Sequence, residues 1–411
     1  MHMSKKKEMA PKLRFPEFKE GYNIEFLSGD LLFEPVVNKN HNSELPVLAI
    51  TQDQGAIPRE QIDYKVSVTK KSLESYKVVE PGDFIISLRS FQGGIEYSRF
   101  KGICSPAYIV LRKKRNSVLE RYYQYYFKLG RYIQSLNRNL EGIRDGKMVS
   151  YSQFSSIKIP YPNFYEQRKV ADCLSSIDAL IDAENRKLEL LKKYKKGFMQ
   201  KLFPKEKKKR PEWRFPEFND CDEWKCEEIK NIGEVITGKT PSTSDLSLWD
   251  GSIQFVTPTD ITEMKYQYHT QRTVAKTNKI KILPQYTIMF TCIASIGKMA
   301  LSVYPCVTNQ QINSIIPMNG HNNEFIYYSL QHKSSVIKSC LADTTLPIIN
   351  KTDFSKIRIP VTINKDEQQK ISDCLSEIDS IISAQISKIE NLKTHKKGLM
   401  QGLFPSSEED I

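Results

Sequence analysis

The sequence predicts a mixed α/β (α+β) chain. Two strand-rich globular domains are joined by two long helices, paired antiparallel as a coiled coil with pseudo-two-fold symmetry. Three observations predict this. Residues 166–204 and 367–405 agree at 23 of 39 positions. Arg14-Phe15-Pro16-Glu17-Phe18 returns as Arg214-Phe215-Pro216-Glu217-Phe218. The segments between these matches are much less alike. A repeat at fixed period dictates architecture before any local signal, and two copies are too few for a solenoid.

Taken in order, residues 1–165 read as the first globular domain. The runs 45–50, 84–88 and 107–111 are short, apolar and β-rich, broken by Gly, Pro and Asp. Residues 166–204 read as the first helix. Val170, Leu174, Ile177, Ile181, Leu188 and Leu191 recur at steps of four and three with one position skipped, the seam of a coiled coil. Residues 205–366 contain an exposed Lys-Glu-Lys-Lys-Lys-Arg linker and then the second globular domain, with β-rich runs at 253–257, 286–293 and 312–316. Residues 367–411 hold the second helix and a tail, and Ile371, Leu375, Ile378, Ile382, Ile389 and Leu392 repeat the first rhythm. Prolines bound both helices. Both seams are interrupted at one place, by Glu184 and Gln385. In an antiparallel pair, repeat-equivalent residues meet only near the dyad. These two are therefore expected within about one helical turn of each other, as a polar layer flanked by Ile177, Ile181, Leu188, Ile378, Ile382 and Ile389.

The globular domains read as distant relatives of each other. Ile50-Thr51-Gln52-Asp53 is matched by Val256-Thr257-Pro258-Thr259-Asp260, and Phe84–Gly94 by Thr287–Gly297 in pattern rather than identity.

At 411 residues and 39% apolar content, the chain can build two or three proper cores. Eight cysteines form no CxxC pair and histidines number six, which argues against structural zinc and for buried thiols in a reducing compartment. No signal peptide and no run of 18 apolar residues is found, so a cytoplasmic protein without membrane association is expected. Net charge is +13, unevenly placed. Residues 1–210 hold 40 Lys+Arg against 24 Asp+Glu; residues 211–411 hold 21 against 24. That excess fits a polyanion partner, and equally a solubilising surface with basic tails.

Catalytic signatures are missing. The glycine-rich turn and the Asn/Asp-Pro-Pro-aromatic motif of a DNA methyltransferase do not occur, and neither does a Walker A loop. Asp260, Glu263 and Lys265 resemble a nuclease triad, but the spacing is too short to surround one metal. No nucleophile–base pair stands out. The chain reads as a binder. Bases are read in the major groove by Arg or Lys at guanine and Asn or Gln at adenine, with Ser and Thr less selective. Candidate readers in the first domain are Arg89, Ser90, Gln92, Arg99, Arg144 and Lys147. The second domain offers Lys239, Thr240, Ser242, Ser295, Lys298, Asn309, Gln310 and Gln311. For Asn309 and Gln310 a competing role is satisfying backbone groups within their loop.

The unit Ile-Pro…Glu-Gln…long helix…Gly-x-Met-Gln-x-Leu-Phe-Pro resembles the conserved regions of the specificity subunit of type I restriction–modification systems. So do the Arg-Phe-Pro-Glu-Phe lead-ins, Gly238-Lys239-Thr240-Pro241-Ser242, the Ile293–Gly297 loop and Thr308-Asn309-Gln310. The resemblance spans nearly the whole chain. It implies a non-catalytic subunit whose two target recognition domains each read one half of an asymmetric, bipartite double-stranded DNA site. It implies that the helices set the spacing and bind two methyltransferase subunits, and that restriction motor–nuclease subunits join them. S-adenosylmethionine, Mg²⁺ and ATP would then serve partner subunits, with no cofactor on this chain. The alternatives are a self-contained DNA nuclease or methyltransferase and a protein-binding scaffold.

Overall fold

A computed structural model describes residues 10–19, 24–41, 44–62, 70–138, 149–277, 280–293, 295–318, 320–339 and 348–406. The chain divides into two compact units. The first contains residues 1–183 and 390–411, the second residues 184–389. Each long helix, Phe164–Leu202 and Lys365–Leu403, contributes one end to each unit.

The first unit is built on a four-stranded antiparallel sheet ordered Phe33–Val36, Ile109–Lys113, Phe84–Ile86, Glu96–Tyr97. A hairpin pairs Leu48–Thr51 with Gly55–Pro58. The second unit has a five-stranded sheet ordered Gly233–Thr237, Ile312–Pro317, Ile288–Thr291, Met299–Ser302, Tyr266–Gln267. A three-stranded sheet is ordered Arg272–Val274, Trp249–Val256, Cys306–Thr308. All six β-rich runs read from the sequence carry strands. The helices Glu120–Tyr126 and Asn323–Ser339 had no clear sequence signal. Their aromatic, all-round apolar segments blur the 3.6-residue period. Tyr122, Tyr123, Tyr126 and Phe127 are all buried in the first core, as Phe325, Ile326, Tyr327 and Tyr328 are in the second.

Both helices start the same way. Asn163 Oδ1 accepts the Glu166 N–H at 2.9 Å, and Asn364 Oδ1 accepts the Glu367 N–H at 3.0 Å, satisfying donors that the first turn leaves free. The repeated lead-in now has a physical purpose. Arg14 grips Glu166 through two hydrogen bonds of 2.7 and 2.8 Å, and Arg214 grips Glu367 with the same two lengths. Beside these pairs, the short turns Pro16–Phe18 and Pro216–Phe218 each bury their final phenylalanine.

Within each unit the helix ends pack antiparallel. In the second, Lys195 pairs with Asp379 at 2.7 Å, while Met199, Leu202 and Phe203 share a core with Ile371, Leu375, Ile378 and Ile382. In the first, Lys396 pairs with Asp178 at 2.5 Å, and Leu403 and Phe404 join Val170, Ala171 and Leu174. Lys195 and Lys396 are repeat equivalents, as are Asp178 and Asp379. A tyrosine completes each bridge: Tyr125 donates to Asp178 at 2.8 Å and Tyr328 to Asp379 at 2.7 Å.

Gln385 Nε2 donates to Glu184 Oε2 at 2.6 Å and to the Glu184 carbonyl at 3.0 Å, and Lys388 Nζ meets Glu184 Oε1 at 2.6 Å. Ile181, Ile378, Ile382 and Ile389 are buried; Ile177 and Leu188 are half-buried.

Candidate nucleic-acid interface

In the second unit, backbone topology gathers the loops. The strand Trp249–Val256 ends where Val256 accepts the Asn309 N–H at 3.1 Å. Gly238 donates to the Ile312 carbonyl at 3.1 Å, and Cys292 donates to the Gln311 carbonyl at 2.8 Å. Segments 238–242, 256–260, 292–293, 295–298 and 308–311 therefore share one end of the sheets. Gly238 permits the closest approach. A Cβ there would stand 2.2 Å from the Asn309 carbonyl oxygen and 2.3 Å from that of Thr308.

The amide run divides by burial. Asn309 is 8% exposed, and its side chain closes a local turn: Oδ1 accepts the Gln311 N–H at 3.1 Å and Nδ2 donates to Gln311 Oε1 at 3.0 Å. This is the backbone-satisfying role weighed against base reading. Gln310 is exposed, and its Oε1 accepts from Thr240 Oγ1 at 2.7 Å, leaving its amide N–H₂ free to donate. Gln311 is half-buried. Lys239 and Lys298 are exposed. Ser242 is exposed with its hydroxyl on Ser244 Oγ at 2.8 Å. Ser295 is half-buried, and its carbonyl accepts from Thr291 Oγ1 at 2.5 Å.

In the first unit Arg89 and Gln92 are exposed at the helical turn Ser90–Gly93, and Arg99 is exposed nearby in sequence. Ser90 is a correction. It is 1% exposed, and its Oγ accepts the Ser87 N–H at 2.9 Å, so it builds the turn instead of facing a ligand. Arg144 and Lys147 lie outside the described residues. A residue the sequence did not mark, Lys128, holds this region. Its ammonium donates to the Gln52 carbonyl at 3.1 Å, the Gly93 carbonyl at 2.9 Å and Glu96 Oε1 at 2.5 Å. Burial pushes the Glu96 carboxyl above its ordinary range, and Lys128 pulls it partly back. Gly94 and Gly297, matched by sequence pattern, both take a positive φ, +83° and +82°, that favours glycine.

The basic run of residues 112–115 is less available than its charge suggests. Arg112 makes a bidentate contact with Asp83 at 2.8 and 2.7 Å, and Lys113 pairs with Glu120 at 2.6 Å. The apparent nuclease triad separates. Asp260 accepts from Thr257 in its own turn, Glu263 pairs with Lys192, and buried Lys265 meets Ser376 and Glu324. Among the described residues no group of three or more His, Cys, Asp or Glu could hold a metal ion, and no helix is long and apolar enough to cross a membrane.

Two segments of the chain, residues 10–193 and 221–392, match the family described as the type I restriction modification DNA specificity domain. The type I restriction enzyme MjaIX specificity subunit of Methanocaldococcus jannaschii is 32% identical over 46% of this chain, and the match spans 46% of that relative, about half its length. The MjaVIII specificity subunit of the same organism is 25% identical, with 82% of this chain and 81% of the relative covered. Among solved structures, the type I restriction–modification S subunit from M. genitalium matches at a TM-score of 0.55 and 16% identity, covering 97% of this chain and 100% of that one. At that identity the likeness concerns fold.

Proposed function

The chain belongs to the type I restriction modification DNA specificity domain family, and from that premise we propose that it is the DNA sequence-specificity subunit of a type I restriction–modification complex. In this reading it binds an asymmetric, bipartite double-stranded DNA site, one half per unit, and docks two methyltransferase subunits with restriction motor–nuclease subunits beside them. It performs no catalysis itself. S-adenosylmethionine, Mg²⁺ and ATP act on the partner subunits, and the assembly works in the cytoplasm.

One observation carries the reading. Both units repeat the residues that hold the long helices, yet present unlike exposed side chains on their loops. A repeated frame with unlike reading surfaces suits a site whose halves differ. The base readers that fit best are the exposed polar side chains Gln310, Lys239 and Lys298, with half-buried Thr240 beside Gln310, and in the first unit the exposed Arg89, Gln92 and Arg99. The decisive experiment is methylome sequencing of cells with and without this chain. The expected result is loss of one bipartite methylated motif. An unchanged methylome in cells that express the partners overturns the proposal. Methyl transfer or cleavage by the purified chain alone favours a self-contained enzyme instead.

A further inference from the structure

Arg272 escaped the sequence reading, which sought polar residues beside glycines. It opens the strand Arg272–Val274 at the edge of the three-stranded sheet and pairs in register with Phe255. It therefore stands beside the strand end that feeds the loop cluster, and its neighbour Gln271 donates its N–H to Asp260 Oδ1 at 3.0 Å. The guanidinium carbon lies 3.6 Å from the centre of the Trp249 ring. Trp249 is itself fixed: its ring is buried, it packs edge-on against Phe255 with centroids 5.2 Å apart, and its indole N–H donates to the Ser242 carbonyl at 2.9 Å.

Arg272 is exposed, and no carboxylate pairs with it among the described residues. Several other cations in this unit are held by carboxylates: Lys265 by Glu324, Lys281 by Glu234, Lys192 by Glu263. A guanidinium lying flat on an indole has already lost much of its rotamer freedom, so binding an anion costs less ordering entropy. The stack covers one face of the guanidinium and leaves its N–H edge open, the edge that fits two oxygens of one phosphate.

We infer that Arg272 is a DNA-phosphate contact of the second unit, with Trp249 as the positioning residue that sets its plane. Its place on an edge strand, flanking the amide-bearing loops, suits backbone positioning better than base readout. The inference rests on the DNA-binding reading above and adds a residue and a ligand group to it.

The test uses the full chain and labelled duplexes of mixed sequence, titrated across a series of salt concentrations. Arg272→Met keeps an apolar stem over Trp249 without the charge. It should weaken binding to every duplex on the order of tenfold and make the slope of log affinity against log salt shallower by about 0.9, the share of one phosphate. Arg272→Lys should keep the wild-type slope. Unchanged affinity and slope in R272M overturn the inference. So does a shift in preferred sequence at unchanged slope, which would mark a base reader. If R272M and R272K both melt early and lose binding alike, the side chain is only a cover for the Trp249 cluster, and the inference fails. If the unaltered chain binds no duplex at all, the broader DNA-binding reading fails instead, and the two failures are told apart.

Discussion

In the first unit Glu166 takes its two side-chain hydrogen bonds from Arg14. In the second, Glu367 accepts from Arg214 and also from Thr362 at 2.7 Å and the Trp224 indole at 3.3 Å. The anchor is the same, and it is more elaborately satisfied in the second unit. The loops diverge further. Lys128 ties the first unit's loops by drawing two backbone carbonyls and a buried carboxylate onto one ammonium. The second unit ties its loops with neutral groups, Thr240 to Gln310 and Asn309 to Gln311. Residues that bury a helix end face a fixed geometry and stay alike. Loops need only satisfy their own backbone, which many side chains can do, so their exposed faces are free to differ.

The comparison can be broken most severely at the anchors. Glu367→Ala removes the carboxylate that Arg214, Trp224 and Thr362 share, leaving Arg214 only the Cys221 and Asp222 carbonyls, and a buried pair broken on one side costs about 3–5 kcal/mol. Glu166→Ala orphans one partner and is expected to cost about 1 kcal/mol less. Thermal melts of the two variants check the order, and equal losses would mean that the extra donors contribute nothing.

The amide run is the next lever. Gln310→Ala should cost about 1–3 kcal/mol of discrimination at one position of the second half-site, with the melting temperature held. Asn309→Ala should lower stability by about 1 kcal/mol and weaken binding to all sequences alike, because it opens a turn. Sequence selection on both variants distinguishes these outcomes. The reverse pattern would return Asn309 to the reading surface.

Lys128→Met tests whether the first unit's loops depend on their clamp. It leaves Glu96 without its cation and should blunt preference at the first half-site only. The direct effect is of the order of a lost charged hydrogen bond, about 1.5 kcal/mol. Relaxed preference at both half-sites would show that the clamp is not local.

The smallest effect is alkaline. Desolvation lowers the Lys195 pKa below its ordinary 10.5, against the opposing pull of Asp379. Between the lowered folded value and the unfolded one, the unfolded chain binds more protons, so this lysine's contribution to stability rises with pH. Below that window its burial remains a constant cost. Lys195→Met should remove the alkaline rise relative to wild type, as read from melting temperatures at increasing pH. Lys396→Met is the control in the more exposed bridge of the first unit, where the side chain is 25% exposed against 11% for Lys195. A K195M profile parallel to wild type would discount the buried lysine.

The repeat determined a good deal by itself. Helix position, the polar layer of Glu184 and Gln385, and the kinship of the two globular parts were legible because periodicity and identity are properties of the chain, independent of packing. The purpose of Arg-Phe-Pro-Glu-Phe was visible only as recurrence, since its partner Glu166 lies 152 residues beyond Arg14. Tertiary structure alone decided which polar residues remain available. Ser90 and Asn309 have the composition of readers, but burial commits their side chains to their own turns. Lys128 and Arg272 look like ordinary surface cations until folding brings Gln52, Gly93 and Glu96 to one and Trp249 beneath the other. The physical reason is the same in each case. A side chain's chemistry is set by its type, but whether that chemistry faces solvent depends on contacts between segments far apart in the chain, and no local pattern records those.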